Sequence, residues 1–105
     1  MRARAVAAVL LTLLVLASCT ATSRSSRCTN GVCTVALSGE QTVEIEIGSF
    51  ERDLRVGPIG PDAVTVSARG DAAELGVGDS AQVGGLLVRV DSISGQDVGM
   101  QVRRS

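Results

Sequence analysis

Apolar and polar side chains alternate along short runs of the chain, with the two-residue period that is typical of half-buried β-strands. The clearest run alternates three polar with three apolar residues over positions 42–47 (Thr, Val, Glu, Ile, Glu, Ile). Similar runs lie at 35–37, 64–68, 88–90 and 98–102. From residue 27 onward, 16 of the 23 Val, Ile, Leu, Met and Phe residues are Val or Ile, which favour strands.

Turn signals separate these runs at intervals of four to eight residues, which suit strands and are too short for ordinary helices. The signals are Asn30-Gly31, Ser38-Gly39, Gly48-Ser49, residues 57–61 (Gly-Pro-Ile-Gly-Pro), Gly70-Asp71, Gly78-Asp79, Gly84-Gly85 and Ser94-Gly95. The pattern predicts a mainly β domain, a small antiparallel β-sandwich or barrel-like roll of six to eight short strands. The secondary structure of one segment is left undecided. Residues 71–74 have the pattern of a helix N-terminus, which would begin a single helical turn, and the alternative is a strand from Ala73 to Val77.

The N-terminus has the features of a secretion signal. Arg2 and Arg4 supply positive charge, and the 13 residues from Ala5 to Ala17 are apolar except for Thr12. Such a run has the length of a signal-peptide core and falls short of the roughly 20 residues that a membrane-spanning helix needs. We therefore expect residues 1–18 to form a helical signal peptide.

The apolar run ends in Leu16-Ala17-Ser18-Cys19, which resembles the lipobox of bacterial lipoproteins: a leucine, two small residues and a cysteine. The resemblance implies cleavage between Ser18 and Cys19, a diacylglyceryl thioether on Cys19 and acylation of the new N-terminus. It implies a location on the outer, extracytoplasmic face of the cell membrane, with the lipid as anchor. An ordinary cleaved secretion signal and an uncleaved anchor are the competing interpretations.

Residues 19–26 are small and polar and show no periodicity, so we expect a flexible tether there. A single β domain is expected over residues 27–105, because that stretch contains no internal repeat and no change of composition that would mark a second domain. The predicted organisation is therefore a signal peptide (1–18), a tether (19–26) and one domain (27–105).

Cys28 and Cys33 flank a strong hairpin signal. Asn30 and Gly31 suit the two left-handed positions of a type I′ turn, which would set Cys28 opposite Cys33 within reach of a disulfide. In an oxidising compartment we predict a structural disulfide between them. The alternative is a redox or stress-sensing module that uses the same two cysteines.

The composition excludes most catalytic mechanisms. The chain contains neither His nor Lys, which rules out Ser-His and Cys-His catalysis, His-ligated metals and Schiff-base chemistry. We therefore expect no enzyme activity and no cofactor. Without residues 1–18, eight Arg stand against 11 acids, and this weak acidity argues against nucleic acid as a partner. Arg89, Arg103 and Arg104 are interpreted as part of a solvated strand and tail.

Four carboxylates are the weak candidates for a cation site: Glu44, Glu46, Glu51 and Asp53. A tight hairpin at Gly48-Ser49 would set Glu46 opposite Glu51 and Glu44 opposite Asp53, whereas a four-residue loop would pair Glu44 with Arg55. Such a face would bind Ca²⁺ weakly, bind a basic partner, or resemble the carboxylate pair of a glycosidase. The simpler interpretation is a solvated strand face, and we assign no metal.

The absence of Lys beside ten Arg is typical of GC-rich actinobacterial coding. With its CTNGVC hairpin and glycine-punctuated strands, the body of the chain resembles small secreted actinobacterial lipoproteins, a resemblance that implies location without mechanism. We expect a non-enzymatic binding or accessory module of the cell envelope, with an envelope protein or other envelope component as partner. The alternatives are the redox module and a small hydrolase that uses Glu44 or Glu46.

Overall fold

The computed structural model describes residues 22–105, which form nine β-strands and, within that range, no helix. The strands are β1 (Ser23–Thr29), β2 (Val32–Ser38), β3 (Gln41–Ile47), β4 (Phe50–Ile59), β5 (Val64–Ala68), β6 (Asp71–Leu75), β7 (Ser80–Val83), β8 (Leu86–Ser94) and β9 (Asp97–Arg104). The predicted signal peptide and Cys19 lie outside the described residues. The mainly β, antiparallel fold class is confirmed for the rest.

The strands form two antiparallel sheets that pack on each other. The five-stranded sheet has the order β1-β2-β9-β8-β7, and the four-stranded sheet has the order β3-β4-β5-β6. The chain crosses from the five-stranded to the four-stranded sheet between β2 and β3 and returns between β6 and β7. Every other connection joins two neighbouring strands of the same sheet. Consecutive strands therefore run in alternating directions, which gives the domain two distinct ends.

We call these ends the base and the tip. The base holds the start of β1 and the connections β2–β3, β4–β5, β6–β7 and β8–β9. There the Gly39 amide donates to the Gln96 carbonyl at 2.9 Å, and the Gln96 side chain donates to the Ile59 carbonyl at 3.4 Å. The tip holds the four remaining hairpin turns and the end of β9, where the Ser105 amide donates to the Gly85 carbonyl at 3.0 Å.

The core is aliphatic and draws on both sheets, because each strand except β1 turns alternate side chains inward. No polar or charged side chain between residues 22 and 105 is fully buried. The buried residues are Cys33, Val35, Leu37, Val43, Ile45, Leu54, Val56, Ile59, Val64, Val66, Ala68, Leu75, Val83, Leu86, Val88, Val90, Val98, Met100 and Val102. One continuous core of this kind is what two facing sheets require.

The number of strands is nine rather than the six to eight predicted, and the first strand begins inside the segment predicted as the tether. Residues 23–26, assigned above to the tether, belong to β1 and pair with β2 from Ser23 opposite Ser38 onward. Every side chain of β1 is exposed, so this strand has no apolar alternation by which the sequence could reveal it. Its neighbour β2 supplies the hydrogen-bonding edge instead.

The segment after Gly70, whose secondary structure the sequence left undecided, is a strand and not a helical turn. It runs from Asp71 to Leu75, two residues earlier than the predicted strand, and pairs with β5. Arg69 and Gly70 form the turn, with φ of 53° and 85°. The left-handed backbone at both positions reverses the chain at once, which leaves no residues for a helical turn.

Candidate functional site

The four candidate carboxylates lie together on the outer face of the four-stranded sheet. Glu44 pairs directly with Asp53, and Glu46 pairs with Glu51, as the tight hairpin at Gly48-Ser49 predicted. The alternative register is wrong, because Arg55 lies opposite Thr42. We call the exposed surface formed by Glu44, Glu46, Glu51, Asp53 and Glu74 the acidic face; Glu74 joins it from β6.

Like charges oppose each other across this face, and such pairs destabilise a sheet. A side-chain hydrogen bond with Glu44 and the negative charge of Glu44 raise the pKa of Glu46, with a further contribution from Glu51. Three guanidinium groups lie near these carboxylates, those of Arg52, Arg55 and Arg69. Arg55 lies 4.0 Å from Glu40, and neither Arg52 nor Arg69 forms an ion pair with a residue from 22 to 105. The five carboxylates of the acidic face therefore have no ion-pair partner among the described residues.

A shallow cleft of about 340 Å³ runs beside these carboxylates. It is lined by Glu44, Glu51 and Asp53 together with Arg52 and Arg69. Within residues 22–105, no three acidic, Cys or His side chains converge as metal ligands would. The four candidates thus share one face and two cross-strand pairs, and the geometry is that of a charged surface rather than of a coordination site.

Cys28 and Cys33 form a disulfide, as predicted. They are cross-strand partners, two positions from the Asn30-Gly31 turn, whose residues have φ of 53° and 79°. Cys33 is fully buried in the core, whereas Cys28 is exposed on β1. The bond therefore ties an entirely exposed strand to a core strand.

A second charged surface, which the sequence analysis missed, lies on the outer face of the five-stranded sheet. One row of cross-strand partners runs Arg27, Thr34, Gln101, Arg89 and Ser80 across all five strands. Arg103 lies two residues from Gln101 on the same face. We call the surface formed by Arg27, Arg89 and Arg103 the basic face.

Two adjoining clefts lie on the basic face, and no carboxylate lines either of them. One, of about 240 Å³, is lined by Val32, Ser80, Leu87, Arg89, Gln101 and Arg103. The other, of about 440 Å³, is lined by Ser25, Ser26, Arg27, Thr34 and Ala36. Asp91 contacts Arg89 at 3.3 Å through Nε, which leaves the outer nitrogens of that guanidinium uninvolved in this contact. Arg27 and Arg103 form no ion pair with any residue from 22 to 105.

Strand order explains why this surface was missed. Arg27, Arg89 and Arg103 occupy polar positions of three separate runs, and their spacing in the chain gives no sign that β9 inserts between β2 and β8. The interpretation of Arg89 and Arg103 as solvated residues holds for each one singly. Their assembly with Arg27 on one face was not anticipated.

Arg104 is exposed, in agreement with the solvated interpretation, and its guanidinium also contacts Phe50 at the tip. The guanidinium carbons of Arg52 and Arg104 each lie 4.7 Å from the centre of the Phe50 ring. Arg52 faces Ile45 across β3 and β4, which explains why it interrupts the apolar phase of β4. Its Nε is buried without a hydrogen-bond partner among the described residues, so cation–π contact and the alkyl stem hold it there.

Comparison with known proteins adds no relative to this picture. No family model matches the chain, and neither a curated protein nor a solved structure gives a significant match. Between residues 22 and 105 the structure contains no helix with the length and apolar character of a bilayer span.

Proposed function

We propose that this protein is a lipid-anchored lipoprotein on the extracytoplasmic face of the cell membrane, where it acts without catalysis as a binding or accessory module of the envelope. The observation that carries the proposal is the lipobox-like sequence Leu16-Ala17-Ser18-Cys19 behind a 13-residue apolar run. Cys19 receives the lipid, and two or more acyl chains make the attachment stable.

The disulfide supports an extracytoplasmic location. Disulfides persist in oxidising compartments and are rare where thiols are kept reduced. Here the bonded pair joins the first two strands of the described domain, directly after the proposed anchor. An even number of cysteines then remains once Cys19 carries lipid.

The start of β1 supports a short attachment. Only three residues separate Cys19 from Ser23, where the first strand begins at the base. At about 3.5 Å per residue, the four steps from Cys19 to Ser23 span at most roughly 14 Å. The anchor would therefore hold the base close to the lipid surface and direct the tip, with Phe50 and the disulfide hairpin, away from it.

A binding role is supported by where the charged side chains lie. The acidic and basic faces are broad, open surfaces on opposite sheets, and the chain carries no His or Lys to act as a base or nucleophile. Surfaces of this kind recognise charged partners.

The test is metabolic labelling of the producing bacterium with an alkynyl fatty acid, followed by membrane fractionation and intact-mass measurement. We expect label and the mass of a diacylglyceryl group on a chain that begins at Cys19, and loss of both in Cys19→Ser. The matched control is Cys28→Ser, which keeps the lipobox and should stay labelled. An unlabelled wild-type protein, or a mature chain that begins elsewhere, would refute the anchor.

A further inference from the structure

We propose that the basic face of one molecule binds the acidic face of a second copy, so that neighbouring molecules associate side by side. The proposal rests on two surfaces of opposite charge on opposite sheets of the same chain. Among residues 22–105, only Arg89 of the three basic-face arginines forms an ion pair, and none of the five acidic-face carboxylates does.

The basic face presents guanidinium donors on a wide, accessible sheet. Arg89 and Arg103 are diagonal neighbours on β8 and β9, at about 7–8 Å between α-carbons. Arg27 extends the positive surface to β1, an edge strand of the same sheet. Gln101, Thr34 and Ser80 lie in the same row and supply additional donors.

The acidic face presents acceptors at a matching spacing. Glu44 and Glu46 are two apart on β3, about 7 Å between α-carbons, and each faces another carboxylate on β4. Arginine is the residue best suited to carboxylates, since its planar guanidinium binds both oxygens at once. A second copy would relieve the repulsion that its own strands leave in place.

The direction of the strands makes this contact compatible with a shared membrane. The strands run from base to tip, so both outer faces point sideways when the base faces the lipid. This membrane arrangement rests on the proposed lipid anchor, whereas the contact between the two faces does not. Because the contact joins the basic face of one molecule to the acidic face of the next, it is head-to-tail, and further molecules can add to form a row.

The size of the faces predicts a weak contact. Four strands about 4.8 Å apart and seven residues at about 3.4 Å give a face of roughly 19 by 24 Å. Two such faces bury on the order of 900 Å², the low end for specific interfaces. Anchoring in one membrane raises the local concentration, which favours a contact of this strength.

The experiment measures association of the full chain, purified in detergent from its own membrane, by Förster transfer between donor- and acceptor-labelled copies. We expect transfer that grows with concentration at about 20 mM salt and weakens at least tenfold at about 500 mM, because exposed charges are screened. Two double variants separate the faces: R89E with R103E for the basic face, and E44R with E46R for the acidic face. Each alone should show no transfer.

Mixing the two variants gives the decisive result. The basic-face variant is acidic on both faces and the acidic-face variant is basic on both faces, so each is complementary to the other. The mixture should therefore show transfer, although neither variant does alone. Asp62→Arg, a charge reversal in the β4–β5 connection at the base, is the matched control and should associate like the wild type. Circular dichroism of each variant verifies the fold.

Three results would overturn the proposal: wild-type protein without transfer at low salt, variants that associate as the wild type does, or a mixture that fails to pair. The intact mass of the same sample reports whether Cys19 carries lipid. Failure of the association and failure of the anchor are therefore read separately.

Discussion

Strands β1 and β3 are each seven residues long and lie at the edges of the two sheets, yet different forces hold them. β3 sends Val43 and Ile45 into the core and turns two glutamates outward. β1 buries nothing and is held by the hydrogen-bond ladder to β2 and by the disulfide. Both strands therefore need a neighbouring strand to pair with. Burial of side chains holds β3 against its neighbour, whereas a disulfide holds β1.

The two edge strands also contact each other across the gap between the sheets. The Arg24 side chain donates from Nη1 to the Thr42 carbonyl at 2.9 Å, and the Gln41 side chain donates to the Ser23 carbonyl at 2.9 Å. These bonds satisfy carbonyls that an edge would otherwise expose. Four stability predictions test the comparison, from the strongest force to the weakest, and a fifth tests the redox alternative.

Removing a core side chain from β3 should have the largest effect. Ile45 is fully buried, so Ile45→Ala should lower the free energy of unfolding by about 2–5 kcal/mol through lost burial and a residual cavity. The central residue of β1 provides the control, since Ser26 is exposed and Ser26→Ala should change it by less than about 0.5 kcal/mol. Urea denaturation measures both, and equal effects would contradict the comparison.

Opening the disulfide should affect β1 before the rest of the domain. On the chain-entropy account, a ring this short contributes about 2 kcal/mol. Cys28→Ser keeps Cys33 buried and should speed hydrogen exchange of the β1 amides while β5 stays protected. Reduction of the wild type should reproduce the pattern, and unchanged exchange in β1 would show that the ladder alone suffices.

Thiol trapping in living cells tests the redox alternative for the same pair. We expect Cys28 and Cys33 to stay oxidised after mild oxidant or reductant is added, because Cys33 lies inside the core. A mixed population that shifts with the treatment would instead favour a redox or stress sensor.

Loss of the Arg24 contact should have a smaller effect. Arg24→Ala removes one exposed hydrogen bond and should cost about 1 kcal/mol or less, with faster exchange at the start of β1. Arg27→Ala serves as control, because Arg27 lies on the opposite face of β1 and its side chain makes no hydrogen bond to residues 22–105. Equal unfolding free energies for the two variants would show that the bridge between β1 and β3 contributes nothing.

The smallest effect should come from the charge of Glu46, and it should depend on pH. Its pKa is raised from the ordinary 4.5 by Glu44 and Glu51, so the folded state holds this proton more tightly than the unfolded chain does. The stabilising effect of protonation is complete below the ordinary pKa and is lost as pH rises through the raised value. Glu46→Gln should therefore raise the melting temperature slightly at pH 7 and leave it unchanged near pH 3.5.

Glu74→Gln is the matched control for that change, because Glu74 lies opposite Thr65 rather than another acid. It should leave the melting temperature unchanged at both pH values. A rise at pH 7 as large as that of Glu46→Gln would mean that net charge, and not the cross-strand pairing, sets the effect.

The local features of the fold were predictable because local rules determine them. Asn30 and Gly31 adopt the left-handed backbone that their type I′ turn requires, and this alone sets Cys28 opposite Cys33. For the second hairpin the sequence left two registers open, and the structure adopts the one that sets Glu44 and Glu46 opposite Asp53 and Glu51. Lipidation of Cys19 remains a prediction from the sequence, since that residue lies outside the described structure.

The alternation of side chains by itself determined which residues are buried in β3, β5 and β9, and the turn chemistry determined the register of the first hairpin. Only the tertiary structure decided that β9 inserts between β2 and β8, that the polar β1 becomes a strand, and that Arg52 and Arg104 each contact the ring of Phe50. The periodicity of a strand shows which of its side chains face the core. Which strands from distant parts of the chain pair with each other depends on the packing of the whole core. The basic face exists only because that packing brings β1, β8 and β9 into one sheet.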